Sequence, residues 1–188
     1  MRTAEQRAEK KKEVMVKCFD CYCENGLNNT NMKLLASACD MSQGNLYVYF
    51  NSIDDLVVET TAYCMSLVEE DFIKIAPSTP NEIMKFIDEV PEWTLKNHGK
   101  KYRFMYQVYT SPKYYEEGQK FVHGITKRYM EYATMLEKKL GIDRESIFTC
   151  IVVFVRAIVH YALFEEKEYM EAQINLVKKI VKEMKNKK

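Results

Sequence analysis

From Ser42 to Phe50 the chain reads Ser-Gln-Gly-Asn-Leu-Tyr-Val-Tyr-Phe. The side chains in it that can do chemistry are a hydroxyl, two amides and two phenols. A primary amide presents a donor and an acceptor side by side, so Gln43 and Asn45 can each pair bidentately with an adenine edge. Val48 can touch a thymine methyl, and Tyr47 and Tyr49 can reach phosphates. Chemistry of other kinds has little to work with. The three histidines (His98, His123 and His160) are scattered, and no Ser-His-Asp or Cys-His arrangement, phosphate-cradling Gly loop or metal motif is visible. The expectation is a binding protein rather than an enzyme, with no cofactor and no metal.

Cys18, Cys21 and Cys23 cluster early in the chain, and Cys39 can come near them. A thiol switch or a metal site is conceivable. The spacing is no zinc pattern, however, and no His lies within the first ninety residues. Small buried hydrophobes are the favoured reading for these thiols.

Side chains of this kind act only if helices position them. The chain has 188 residues, 47% hydrophobic and 29% charged, with only six Gly and four Pro, which describes a globular and mostly helical protein. No apolar run is read as approaching a membrane span, and the charged N-terminus lacks the apolar core of a secretory signal. A cytoplasmic location with no membrane partner is expected. Both ends are basic: residues 1–12 carry five basic and two acidic side chains, and residues 178–188 carry six and one. Residues 1–56 hold seven basic against eight acidic, so the region around the amides is not broadly basic.

Periodicity and caps give nine helices. Thr3 and Gln6 cap the first, whose stripe is Met15, Cys18, Phe19, Tyr22 and Cys23, and Asn25-Gly26 ends it. Thr30 or Asn31 caps a short second helix holding Met32, Leu35 and Ala36. Cys39-Asp40-Met41 is a turn, and Ser42 caps the third helix, with Leu46 and Phe50 on its inner face. Ser52 caps a fourth helix that runs to Pro77, and Pro77-Ser-Thr-Pro80 is a linker. A fifth helix follows, which Pro91 kinks or ends, and a sixth covers about Lys101–Thr110. Ser111-Pro112 opens a seventh helix, closed by Gly141. Asp143 caps an eighth that is apolar around much of its circumference between Ile147 and Leu163. A ninth spans about Tyr169–Met184. No strand alternation is found, and the fold class is all-α.

The stretch from Asn25 to Leu56 resembles the DNA-binding domain of the tetracycline-repressor (TetR) family. The matching residues are Gly26, Thr30 and Leu35-Ala36, then Ser42-x-Gly44-x-Leu46-Tyr47-x-Tyr49-Phe50 and Ser52-x-Asp54-x-Leu56. The resemblance implies a three-helix helix-turn-helix domain over 1–51 and a larger ligand-binding and dimerisation domain over 52–188. It implies DNA contacts from Thr30, Lys33, Ser42, Gln43, Gly44, Asn45, Tyr47, Val48 and Tyr49. Three departures stand out. Asp40 replaces a turn glycine, Cys39 replaces a small apolar residue, and Ile53 stands where a phosphate-binding Lys is usual. The loss of that Lys shifts weight onto Lys10, Lys11, Lys12 and Lys33.

The same resemblance implies an internal cavity for a small effector. The aromatic and Met-rich middle of the chain suits an apolar or aromatic one. The residues expected to line it are Tyr63, Leu67 and Phe86, then Trp93, Met105 and Tyr109, with Gln119, Val122 and Thr126 on the seventh helix. Helices eight and nine are expected to form a homodimer interface through Ile151, Phe154, Ile158, Val177 and Val181. The implied function is a ligand-responsive regulator, most simply a repressor, binding a near-palindromic double-stranded operator. The alternative is an all-helical dimeric interaction protein whose helix-turn-helix no longer grips DNA.

Overall fold

The computed structural model describes residues 3–77 and 79–186. Met1, Arg2, Ser78 of the expected linker, and Lys187 and Lys188 of the basic tail lie outside the described residues. All regular structure among the described residues is helical: α1 (Ala4–Asn25), α2 (Met32–Ala38), α3 (Gln43–Tyr47), α4 (Ile53–Ile75), α5 (Pro80–Tyr109), a 3₁₀ turn (Pro112–Tyr114), α6 (Tyr115–Leu140), α7 (Arg144–Phe164) and α8 (Lys167–Asn186).

The all-α expectation holds, and the count of nine is corrected to eight α-helices among the described residues. The expected fifth and sixth helices are one, because α5 runs through Pro91. An internal proline removes one backbone hydrogen bond and crowds the carbonyl four residues earlier, a cost of roughly 3 kcal/mol. Here Ile87, Val90, Pro91, Thr94 and His98 are all buried at helical spacing, so one inward stripe crosses the proline. Burying that stripe offsets the local loss.

Caps fall where short polar side chains were expected. Thr3 and Gln6 form a reciprocal capping box on α1. Gly26 ends α1 at φ 79°, a conformation that costs a residue with a Cβ. Asn31, rather than Thr30, caps α2 by accepting from the Leu34 amide at 3.0 Å. Ser52 accepts from the Asp55 amide at 3.0 Å at the head of α4, and Asp143 accepts from the Ser146 amide at 2.8 Å at the head of α7.

The chain forms two compact units, one of residues up to Lys74 with Arg103–Gln119, the other of Ile75–Tyr102 with the residues from Lys120 on. In the first, Phe104 stacks on Tyr22 (centroids 4.9 Å) and meets the edge of Phe19 (5.5 Å). Leu35, Leu46 and Leu56 are fully buried in the same unit. In the second, α7 packs along α8, Phe86 meets Phe154 at 5.9 Å, and the Tyr161 hydroxyl donates to Glu92 at 2.8 Å.

A second expectation is corrected at α7. An 18-residue window of this helix has a mean hydropathy of 2.2, so by length and composition alone it could cross a bilayer. Exposed Arg156 interrupts it, while Phe154, Ala157, Ile158 and Tyr161 are buried within the single chain. Apolar residues on a helix already packed along one side describe a core helix with a second face for packing.

Candidate nucleic-acid interface

Five residues are too few for a helix to persist alone, so α3 is held by its surroundings. The Ser42 side chain accepts from the Asn45 amide at 3.2 Å, which satisfies one orphan donor of the first turn. Leu46 (0% exposed) and Phe50 (2% exposed) anchor the inner face. That leaves Gln43, Gly44, Asn45, Tyr47 and Val48 exposed on the outer face, with Tyr49 half-buried. The exit of α3 is fastened by α1. Arg7 Nη2 donates to the Val48 carbonyl at 2.7 Å, and Lys11 Nζ lies over the Phe50 ring, 4.8 Å from its centroid.

The turn before α3 carries Asp40 at φ 56°, a left-handed position that Asp tolerates better than most residues. Its carboxylate pairs with Lys17 of α1 at 2.8 Å. The hydrogen bond and charge of that lysine hold Asp40 below the usual carboxylate range. At the head of α4, the Tyr114 hydroxyl donates to Asp54 at 2.7 Å and Lys113 pairs with the same carboxylate. Lys113 first and Tyr114 second depress the Asp54 pKa, and burial with the same contact pushes Tyr114 upward.

The structure brings most of the expected DNA-contacting residues to one exposed stretch and separates one from it. Ser42, Gln43, Gly44, Asn45, Tyr47 and Val48 are exposed together, and Lys33 is exposed on α2. Thr30 is buried, and its hydroxyl donates to the Gly26 carbonyl at 2.7 Å. The basic arm is engaged with acids: Lys10 with Glu13 at 2.6 Å, Lys12 with Glu9 at 3.4 Å, and Lys11 with Glu59. Arg7 was missed from the sequence. Its partner is a backbone carbonyl 41 residues away, and no spacing rule records such a pair.

The arrangement is a capped short helix, presenting amides from a tightly fixed turn, and it matches a known one. The family of bacterial regulatory proteins called the tetR family matches residues 20–60. The helix-turn-helix is that of the TetR family. Among solved structures, a TetR transcription regulator from Haloarcula marismortui superposes with a TM-score of 0.70 at 13% identity, over 94% of this chain and 98% of that one. The TetR-family repressor FadR of Thermus thermophilus, in complex with lauroyl-CoA, gives 0.57 at 10% identity, over 91% and 92%. FadR of Bacillus subtilis, in complex with stearoyl-CoA, gives 0.56 at 12% identity, over 92% and 96%. At such identities the likeness is one of fold. No curated protein matches the chain in sequence.

Beyond the TetR-type domain, the residues expected around an effector are spread over both units. Tyr63, Leu67, Met105, Tyr109 and Gln119 belong to the first; Phe86, Trp93, Val122 and Thr126 belong to the second. Met105 and Tyr109 are buried, and Tyr63, Leu67, Phe86 and Trp93 are half-buried. Gln119, Val122 and Thr126 are exposed. Two open clefts lie elsewhere, within the first unit. One, of about 410 Å³, is lined by residues 25–29 with Gln107 and Ser111; the other, of about 310 Å³, lies around Asp54, Glu59 and Tyr114. Neither contains any of the nine. Of the expected dimer residues, Phe154, Ile158 and Val177 are buried within the single chain, and Ile151 and Val181 are half-buried. No group of three or more His, Cys, Asp or Glu among the described residues is placed to hold a metal ion.

Proposed function

We propose that this chain is a ligand-responsive transcriptional regulator of the TetR type, most simply a repressor, that binds a near-palindromic DNA operator as a homodimer. The observation that carries the reading is the outer face of α3. Gln43 and Asn45 stand exposed on a helix fixed by the Ser42 cap, by buried Leu46 and Phe50 and by Arg7. Amides that nothing in the fold consumes, on a rigidly held helix, are what direct readout of base edges needs. Residues 1–51 act as the reader, and residues 52–188 bind effector and partner subunit. The two FadR proteins are complexed with lauroyl-CoA and stearoyl-CoA, which supports an effector with a substantial apolar part here. Half-buried Ile151, Val152, Val155 and Val159 on α7, with Ile180 and Val181 on α8, supply an apolar face for the second subunit. Effector binding acts by changing the separation of the two readers, and the coupling is reciprocal: operator weakens effector by the factor effector weakens operator.

The test is fluorescence anisotropy, at fixed salt, with duplexes tiled from the region upstream of the protein's own coding sequence. Gln43→Ala and Asn45→Ala each lower affinity for the best duplex by about tenfold or more, since a bidentate amide–base pair is worth about 1–3 kcal/mol. Unchanged affinity in both variants overturns the assignment. The buried Thr30 and the ion-paired Lys10, Lys11 and Lys12 favour one second reading, a dimeric interaction protein with a lapsed reader. A dimer by sedimentation that binds no duplex with a salt-dependent affinity selects that reading.

A further inference from the structure

Cys18 of α1 and Cys39, in the turn between α2 and α3, are 21 residues apart in sequence, yet their sulfurs stand 3.5 Å apart. The Cys39 sulfur also lies 3.8 Å from the Val14 carbonyl, one helical turn before Cys18, so it is seated directly on α1. The next residue, Asp40, is ion-paired with Lys17. Residues 17 and 18 of α1 therefore hold residues 40 and 39 of the turn through two adjacent ties, one ionic and one between thiols.

We propose that Cys18 and Cys39 are a redox-active dithiol, which hydrogen peroxide converts to a disulfide that staples the turn of the helix-turn-helix to α1. The Cys39 thiolate attacks one peroxide oxygen, the O–O bond breaks, and the departing hydroxide takes up the proton that Cys39 released. The Cys18 sulfur then displaces the hydroxyl of the resulting sulfenic acid, which leaves as water with the Cys18 proton. Two thiols and one peroxide give one disulfide and two waters, with both sulfurs oxidised and both peroxide oxygens reduced. The sulfurs need to close only to about 2.0 Å.

The two thiols are unequal in the way such a sequence needs. The contact from Cys18 and the nearby Lys17 ammonium hold Cys39 below the usual thiol range, whereas the same contact and full burial push Cys18 well above it. Thiolate character selects the sulfur that attacks first. Burial limits access, since Cys18 is 0% and Cys39 5% exposed. Asp40, the residue next to Cys39, is exposed, so a molecule as small as peroxide reaches the sulfur through a brief local fluctuation that leaves the rest of the turn in place. The opposing reading is a pair of inert thiols packed as small hydrophobes, and reactivity separates the two. The inference does not depend on what α3 contacts.

The reduced full-length chain is treated with hydrogen peroxide, alkylated, digested and mapped by mass spectrometry, and a second sample is melted. The expected product is lighter by two hydrogens, carries a cross-link that fragmentation places at Cys18–Cys39, and reverts in dithiothreitol. Its thermal midpoint is higher by about 5–10 °C, because closing a loop of this length restricts the unfolded chain. Cys39→Ser abolishes both changes and Cys150→Ser keeps both. Alkylatable Cys18 and Cys39 after other thiols have oxidised overturn the proposal, as does a cross-link that leaves the midpoint unchanged or lower. The wild-type map decides the matter even if Cys39→Ser fails to fold.

Discussion

α2 and α3 have seven and five residues, whereas α7 and α8 have 21 and 20. The short pair is held by individually identifiable bonds: the Asn31 and Ser42 caps, the Arg7 bond to the Val48 carbonyl and the Lys17–Asp40 ion pair. The long pair is held by area: α7 packs along α8, and Ala157, Ile158, Ile174 and Val177 of the two helices are buried. Position matters to an element that presents polar groups, and directional bonds fix position. Stability is supplied by apolar burial, which is non-directional. Substitutions in the two regions should therefore fail in different ways.

The largest effect is expected at Phe104, which is 2% exposed and lies against both Tyr22 and Phe19 of α1. Phe104→Ala lowers the unfolding free energy by about 3–5 kcal/mol in urea denaturation. Gly118→Ala comes next. An added Cβ there would stand 2.6 Å from the Tyr109 carbonyl oxygen and 2.8 Å from its Cβ. The backbone of α5 or α6 must shift, and the expected loss is about 1–3 kcal/mol by the same measurement.

Ser42→Ala sharpens the contrast most directly. Loss of this cap costs about 1 kcal/mol, and in a five-residue helix the first turn is most of the element. Amide hydrogen exchange at 45–47 is expected to accelerate together, with a matching loss of affinity for the best upstream duplex. Asp143→Ala removes the corresponding cap from α7. There exchange speeds up in the first turn only, while residues near Ile158 keep their protection. Uniform acceleration along α7 would show that its packing with α8 does not hold it independently of its cap.

The same contrast explains what the sequence revealed. The short-helix region was legible almost residue by residue, because caps, turns and the Leu46–Phe50 spacing are local and each uses a characteristic residue type. Asp40 lies in the expected turn, at a left-handed φ of 56°. Contacts across the fold left no trace. Arg7 on Val48, Gln107 accepting from the Leu27 amide at 3.2 Å and Tyr114 on Asp54 are each a pairing of ordinary residues at arbitrary separation. Pro91 does not end its helix, because the local rule for proline takes no account of the buried stripe that runs past it. In the long helices, periodicity identified buried faces without naming what covers them. Phe154, Ile158 and Val177 satisfied the pattern by packing within the chain.

The smallest expected effect compares two carboxylates that begin helices. Asp54 is depressed by Lys113 and Tyr114, and Asp143 by the amide and side chain of Ser146, so both have folded pKa values below their unfolded ones. A depressed carboxylate contributes stability that is fully present above the unfolded value, about 3.9, and is lost as pH falls through the folded value. Both groups are largely solvent-screened, so each contribution is modest. The thermal midpoint of Asp54→Asn should lie slightly below wild type at neutral pH and converge on it as the buffer is taken below the ordinary carboxylate range. Asp143→Asn should show less, because an asparagine amide still accepts from the Ser146 backbone and keeps the cap. The Asp54 partners are a lysine charge and a phenol from the connection between α5 and α6, and an amide answers the lysine poorly. Equal pH profiles for the two variants would mean that the Lys113–Tyr114 clamp on α4 adds no more than an ordinary helix cap does.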